Sequence, residues 1–179
     1  ELAKWSFTHL AITGQLLQQP SNTAVTGVAW LDHHWTLTHL EEIGWHWFSL
    51  QLNNNTEVMI AHYQQNGQTV TLASQNDALG RQSETTTVVF KSLAKDWISP
   101  RTDEHYTLTW QITLPDWQQT YTITPIHLDQ ELIFGKIHYW EGPCRITGQQ
   151  QGITVTGRGF LEIAHPTSLH LFNTISNSK

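Results

Sequence analysis

The sequence predicts an all-β antiparallel fold, and three observations predict it. Tyr106, Leu108, Trp110, Ile112 and Leu114 alternate with Thr107, Thr109, Gln111 and Thr113, the period-two pattern of a strand with one buried and one wet face. Turn-forming residues recur at short intervals along most of the chain. Charged residues are 13% of the 179 residues, about half the usual share, so polarity comes from Thr, Gln, Asn, Ser and His, a composition suited to the outer faces of strands.

Taken in order, the first strand is expected over 5–17 and the second over 23–31, joined at Gln19-Pro20-Ser21-Asn22. Strands over 44–52 and 57–64 flank Asn53-Asn54-Asn55, and Asn66-Gly67 turns the chain into 68–74. Asn76-Asp77 separates that strand from one over 85–91, after which Ser92 to Trp97 reads as a helical turn. Strands over 106–114 and 119–127 flank Pro115-Asp116, and those over 137–148 and 152–164 flank Gln149-Gln150-Gln151-Gly152. In the last strand the parity of apolar residues changes after Gly157-Arg158-Gly159, which predicts a bulge or sharp bend. Eight to ten antiparallel strands with short turns point to an up-and-down barrel or a sandwich. A barrel of about eight strands is just wide enough inside for one small ligand.

The bulk numbers exclude several classes. The length suits a single domain over 1–179 with its own core. A net charge of -6 gives no basic footprint for nucleic acid. No apolar run approaches the roughly 20 residues of a membrane helix, and Glu1-Leu2-Ala3-Lys4 is not a signal peptide. The single cysteine, Cys144, excludes an internal disulfide and reads as a small buried hydrophobe.

The most unusual composition lies in Gly27-Val28-Ala29-Trp30-Leu31-Asp32-His33-His34-Trp35 and Gly44-Trp45-His46-Trp47-Phe48-Ser49-Leu50-Gln51-Leu52, with four Trp, three His and one Asp. Aromatic walls with a few polar groups describe a site for an apolar, unsaturated small molecule. Strand alternation sets Asp32 and His34 on one face and His33 on the other. Asp32 and His33 read either as an acid/base pair or as a structural corner in which a buried Asp accepts from an indole N–H and a His. Trp45, Trp47, Ser49 and Gln51 share one face, the more site-like one, while His46, Phe48, Leu50 and Leu52 form a plainer core face. Trp110 belongs to a core stripe. Asp32, His33, His34, His39 and His46 form the densest cluster of metal-binding types, but the chain has no His-Glu-x-x-His or similar spacing, so no metal is expected. No Gly-x-Ser-x-Gly or phosphate loop is present, and no cofactor is expected.

Six ordered blocks resemble a known family. They are Gly27-x-Ala29-Trp30-Leu31-Asp32-His33-x-Trp35, Gly44-Trp45-x-Trp47-Phe48-Ser49-Leu50-Gln51-Leu52, Trp97-x-Ser99-Pro100-Arg101, Asp129-Gln130-Glu131-Leu132, Tyr139-Trp140-Glu141-Gly142 and Gly157-Arg158-Gly159-Phe160-Leu161-Glu162. They resemble the lipocalin-like family of carotenoid 1,2-hydratases (hydroxyneurosporene synthases) and AttH-type proteins. The resemblance implies an all-β, calycin-like antiparallel barrel. Members carry two lipocalin-like halves, and this chain looks like the second, C-terminal one, so the first half would be removed, on another chain, or lost.

The resemblance also implies a polyene-sized apolar cavity, diverse chemistry that includes hydration and polyene cyclisation, and export to the periplasm beside transporter components. The leading reading is binding of a lipid, isoprenoid or polyene by Trp30, Trp35, Trp45, Trp47, Tyr139 and Trp140. One alternative is an enzyme of the hydratase or cyclase type, with Asp32, His33 and His62 as its catalytic candidates. Another is a structural half-domain that pairs with a first lipocalin-like half. In the hydratase branch an essential carboxylate sits on the strand after the Trp-rich one. Here that strand reads Val58-Met59-Ile60-Ala61-His62-Tyr63, and His62 stands in the acid's place. Asp129-Gln130-Glu131 reads as a turn-capping segment, and Glu141 as a partner of Arg158.

Overall fold

The structure, a computed structural model, describes residues 2–36, 43–135 and 137–165. These form two compact units, Glu1–Thr38 and His39–Lys179. Among the described residues no helix is long and apolar enough to cross a membrane.

The first unit is one long hairpin of β1 (Leu2–Gln18) and β2 (Ser21–Thr36), paired antiparallel from Leu2↔Thr36 to Gln18↔Ser21. Gln19-Pro20, a cis peptide, makes the two-residue turn. β2 therefore runs five residues beyond the expected 23–31, through Asp32, His33, His34 and Trp35. A register shift between Phe7 and Leu10 bulges β1.

The second unit carries β3 (Gly44–Leu52), β4 (Glu57–Gln65), β5 (Gln68–Asn76), β6 (Gln82–Thr85), β7 (Val89–Ser92), β8 (Trp97–Ile98), β9 (His105–Tyr106), β10 (Trp110–Leu114), β11 (Gln119–Pro125), β12 (Glu131–Phe134), β13 (Ile137–Gln150) and β14 (Ile153–Ala164). All ladders are antiparallel. The main sheet runs β6-β5-β4-β3-β14-β13-β11-β10-β7, with β12 on the same side of β13 as β11, and β8-β9 is a separate ribbon. Asn66-Gly67 and Gln151-Gly152 have positive φ at both positions, as a two-residue hairpin turn that matches strand twist requires.

The sheet is large and strongly curved. Phe48 of β3 meets Trp110 of β10 (ring centroids 6.4 Å), and His62 of β4 meets Phe90 of β7 (5.5 Å), although these strands lie far apart along the ladder path. The curve encloses one core of Phe48, Leu50, Val58, Ile60, Ile112, Leu114, Tyr121, Ile123, Trp140, Ile146, Leu161 and Ile163. The sequence reading expects a closed barrel, but the path ends at β6 and β7, and among the described residues no ladder joins them. The all-β curved sheet is consistent with a lipocalin-like fold.

Four local expectations are corrected. The segment after Ser92 is irregular, not a helical turn; the short 3-10 turn is instead at Pro115–Trp117, where Pro fixes φ at the first position. The expected strand over 106–114 is broken, because the chain leaves β9 at Tyr106 and re-enters the main sheet at Trp110, whose indole N–H donates to Thr107 O at 2.7 Å. β12 was not anticipated, since Glu131-Leu132-Ile133-Phe134 lacks alternation. Finally, β14 holds an unbroken register from Gly157↔Leu52 to Ala164↔Trp45, with no bulge. Its glycines answer a need for space: a Cβ on Gly157 would lie 2.4 Å from Gln51 O, and one on Gly159 2.2 Å from Ser49 O.

Candidate functional site

The hairpin presents two different faces. On one, Phe7, Trp5, His33 and Trp35 form an aromatic stripe, with Trp5 stacked on His33 at 5.2 Å and His33 edge-on to Trp35 at 5.3 Å. On the other, Asp32 accepts from Ser6 Oγ, accepts from Trp30 Nε1 at 2.8 Å, and pairs with Lys4 Nζ at 2.9 Å. His34 shares that face, and burial, followed by the Lys4 charge, lowers its pKa. Asp32 thus meets the indole donor that the structural reading expects, but with Ser6 and Lys4 as its other partners and a side chain that is 23% exposed, not buried. Asp32 and His33 lie in one compact unit and His62 in the other. His39 lies outside the described residues.

In the second unit, strand register builds a single inner row across six strands. Glu131 pairs with Trp140, Trp140 with Ile163, Ile163 with His46, His46 with His62, and His62 with Thr71. Cross-strand partners share a face, so the row alternates acid, aromatic, aliphatic and two imidazoles over the rim of the core. His46 and His62 have ring centroids 6.0 Å apart, and His46 lies 5.3 Å from Trp110. His62 Nδ1 is 2.8 Å from Thr71 Oγ1, which fixes its ring. Burial pushes the His46 pKa down to about 4, with the charges of His165 and His62 adding to the effect. His165 stacks on Tyr106 at 5.6 Å, with its Nε2 3.0 Å from His105 O.

At the other end of the row, Glu131 is 3% exposed and fully engaged. It accepts from Ser99 Oγ at 2.5 Å, Thr102 Oγ1 at 2.6 Å and Tyr106 Oη at 2.9 Å, with Arg101 Nε at 3.7 Å. Burial alone would raise its pKa, but these hydrogen bonds overcome it and hold the carboxyl below its ordinary value. Burial also pushes the Tyr106 hydroxyl far up, so it stays a donor. Arg101 Nη2 also donates to Glu131 O and to Asp129 Oδ1. The blocks around Ser99 and Glu131 are therefore one knot that carries Tyr106 into the core.

The remaining candidates fall elsewhere. Trp140 is fully buried in the core, its N–H on Leu128 O at 2.6 Å. Trp45 and Trp47 occupy the outer face; Trp47 is 3% exposed, and Trp45 Nε1 donates to Glu162 Oε2 at 3.3 Å. Tyr139 stands beside Trp45 at 6.1 Å. The register sets Glu141 opposite Glu162 and Arg158 opposite Arg145, so Glu141 and Arg158 are four residues apart along the ladder instead of paired. Trp110 and Cys144 lie in the core as expected, and burial raises the Cys144 thiol to about 12. Among the described residues no set of three or more His, Cys, Asp or Glu is arranged to hold a metal.

Sequence reasoning selected His62 but missed its neighbours. His46 is assigned to a plain core face, and Phe90 carries no signal because its meeting with His62 depends on the curl of the sheet. The available signal was the parity of His46 with Phe48, which places an imidazole on an otherwise apolar inner face.

A family model described as AttH-like matches residues 2–165. The crystal structure of an AttH protein from Nitrosomonas europaea superposes with a TM-score of 0.74 at 28% identity, covering 91% of this chain and 52% of that one. Kievitone hydratase from Nectria haematococca superposes with a TM-score of 0.77 at 17% identity, covering 92% of this chain and 53% of that one. The chain thus spans about half the length of both. No curated protein sequence matches it significantly.

Proposed function

The chain belongs to the AttH-like family, and we propose that it carries a hydratase-like site, at which water is added to or removed from a carbon–carbon double bond of a hydrophobic small molecule. The observation that carries this reading is the His46–His62 pair, 6.0 Å apart on an apolar inner face beside Trp110. A related fold performs hydration in kievitone hydratase, which supports this enzyme reading over binding alone. The curved sheet is read as a barrel open between its edge strands β6 and β7, with Gln119 Nε2 of β11 donating across the opening to Gln75 Oε1 of β5 at 2.9 Å.

In this reading His46, neutral at pH 7 with a pKa of about 4, accepts a proton from the attacking water. His62, in its protonated form, delivers a proton to the alkene carbon, and the water oxygen bonds to the neighbouring carbon. The two imidazoles then re-equilibrate through solvent, so the net change is one water. The Trp110 ring stabilises the developing positive charge. Imidazolium is a weak acid for an isolated alkene, so the site selects substrates whose protonation leaves a tertiary or conjugated cation.

The test is incubation with a panel of isoprenoid alkenes and polyenes in heavy-oxygen water, read by mass spectrometry. The expected product gains one labelled water, and His46→Ala and His62→Ala lose it. Absence of labelled product from the whole panel, or unchanged turnover in both variants, sinks the reading. The second reading is binding of a hydrophobic molecule without turnover, favoured by the Phe48, Phe90 and Trp110 wall. It predicts a copurified apolar molecule and no labelled product.

A further inference from the structure

We propose that the aromatic face of the β1-β2 hairpin is an interaction surface whose occupant is the same face of a second copy of this chain, related by a two-fold axis. The inference concerns the first compact unit alone and goes beyond the imidazole site.

Strand register assigns the face. Trp5 pairs with His33 and Phe7 with Leu31; beyond the bulge, Ile12 pairs with Gly27 and Gly14 with Val25. Cross-strand partners share a face, and every second residue of β2 returns to it. Trp5, Phe7, Ile12, Val25, Leu31 and Trp35 therefore lie on one side of the ribbon, and all six are exposed. The ion pair of Lys4 and Asp32 is on the other side.

Single exposed apolar residues are ordinary, but a continuous row of large ones marks a surface that another body covers. Its composition is that of an interface centre, aromatic and aliphatic and without charge.

Charge selects the occupant. The chain has a net charge of -6, yet no Asp, Glu, Lys or Arg occurs from Trp5 to Leu31. Two copies of an acidic chain repel one another, and on this face they meet with no like charges opposed. A strongly charged partner finds no counter-charge here to steer it.

Shape agrees with a self-complementary contact. A Cβ on Gly14 would meet nothing within 4 Å, and one on Gly27 would meet only the Ile12 side chain. The face is thus low at Gly14 and Gly27 and high at Ile12 and Val25. A two-fold axis lays the high positions of one copy over the low positions of the other. The solved relatives carry about as much chain again beyond the part that matches this one, and a second copy is a body of that size.

Sedimentation equilibrium on the full chain, across a dilution series, reads the mass directly. A dimer that dissociates reversibly on dilution is expected. Ile12→Lys and Trp35→Lys each place a charge on the face and should weaken the dimer about tenfold or more. Val28→Lys is the control. Val28 and Ile12 are both 45% exposed, but Val28 pairs with Ala11 on the opposite side of the ribbon, so this variant should keep the dimer. Circular dichroism checks that each variant retains its strands, and two separate face positions keep the test valid where one substitution disturbs the fold. A monomer at every concentration, an open series of larger species, a dimer untouched by both face substitutions, or equal loss with Val28→Lys overturns the proposal. Turnover of labelled water is a separate readout, so failure here leaves the hydratase reading standing, and the reverse holds too.

Discussion

His46 and His62 are direct cross-strand partners on β3 and β4, with ring centroids 6.0 Å apart on the inner face of the sheet. Two neighbouring imidazoles at the rim of an apolar core are expensive when both are charged, and burial of His46 sets a pH window for stability.

The His46 pKa falls from 6.5 to about 4 in the folded chain. A lowered folded value means that its stabilising contribution is complete above 6.5 and is lost progressively as pH falls towards 4. His46→Phe should flatten the dependence of the denaturant midpoint on pH in that window. Ring-nitrogen NMR should place the His46 titration near 4, and a value near 6.5 would contradict the buried environment.

Glu131 acts in a lower window. Its folded pKa lies below 4.5, so its contribution is complete above 4.5 and is lost as pH falls through the folded value. Tyr106→Phe removes one donor and should cost about 1–2 kcal/mol, while Glu131→Ala strands several buried donors and should cost roughly 3 kcal/mol or more. Urea unfolding at pH 7 and pH 3.5 checks both, and the two variants should converge towards wild type at the acid end.

Gly159→Ala introduces a Cβ 2.2 Å from Ser49 O and 3.2 Å from Ile146 Cδ1. Backbone cannot swing aside as a side chain does, so a loss of about 1–3 kcal/mol is expected, seen as a lower melting temperature. Gly14→Ala, with nothing within 4 Å of its Cβ, is the matched control and should be near neutral.

Asp32→Asn keeps an acceptor for Trp30 or Ser6 but loses the charge opposite Lys4. The side chain is partly exposed, so the expected cost is about 1 kcal/mol. In the hydration assay this variant should keep turnover, unlike His46→Ala. Loss of turnover with the fold intact would return Asp32 to the acid/base role.

Much of the fold was legible because strand alternation and turn chemistry are local. Asn66-Gly67 and Gln151-Gly152 each predicted a hairpin and made one. The glycines of β14 misled because the same residue serves a bulge or a close approach, and only the neighbouring backbone decides which. β12 was invisible because Leu132, Ile133 and Phe134 are all partly or well exposed, so burial imposed no period on them. The site was only partly legible: His62 stood out, but its meeting with Phe90 and that of His46 with Trp110 come from curvature, which no residue spacing encodes.

The path of ladders ends at β6 and β7, and side chains reach across from elements behind those edges: Gln119 of β11 donates to Gln75 of β5, and Thr85 of β6 donates to the Asp116 carboxylate in the 3-10 turn. Side-chain hydrogen bonds of this kind exchange with water at small net cost, whereas main-chain rungs would tie the edges together. Losing these two contacts therefore breaks no backbone pair of the sheet.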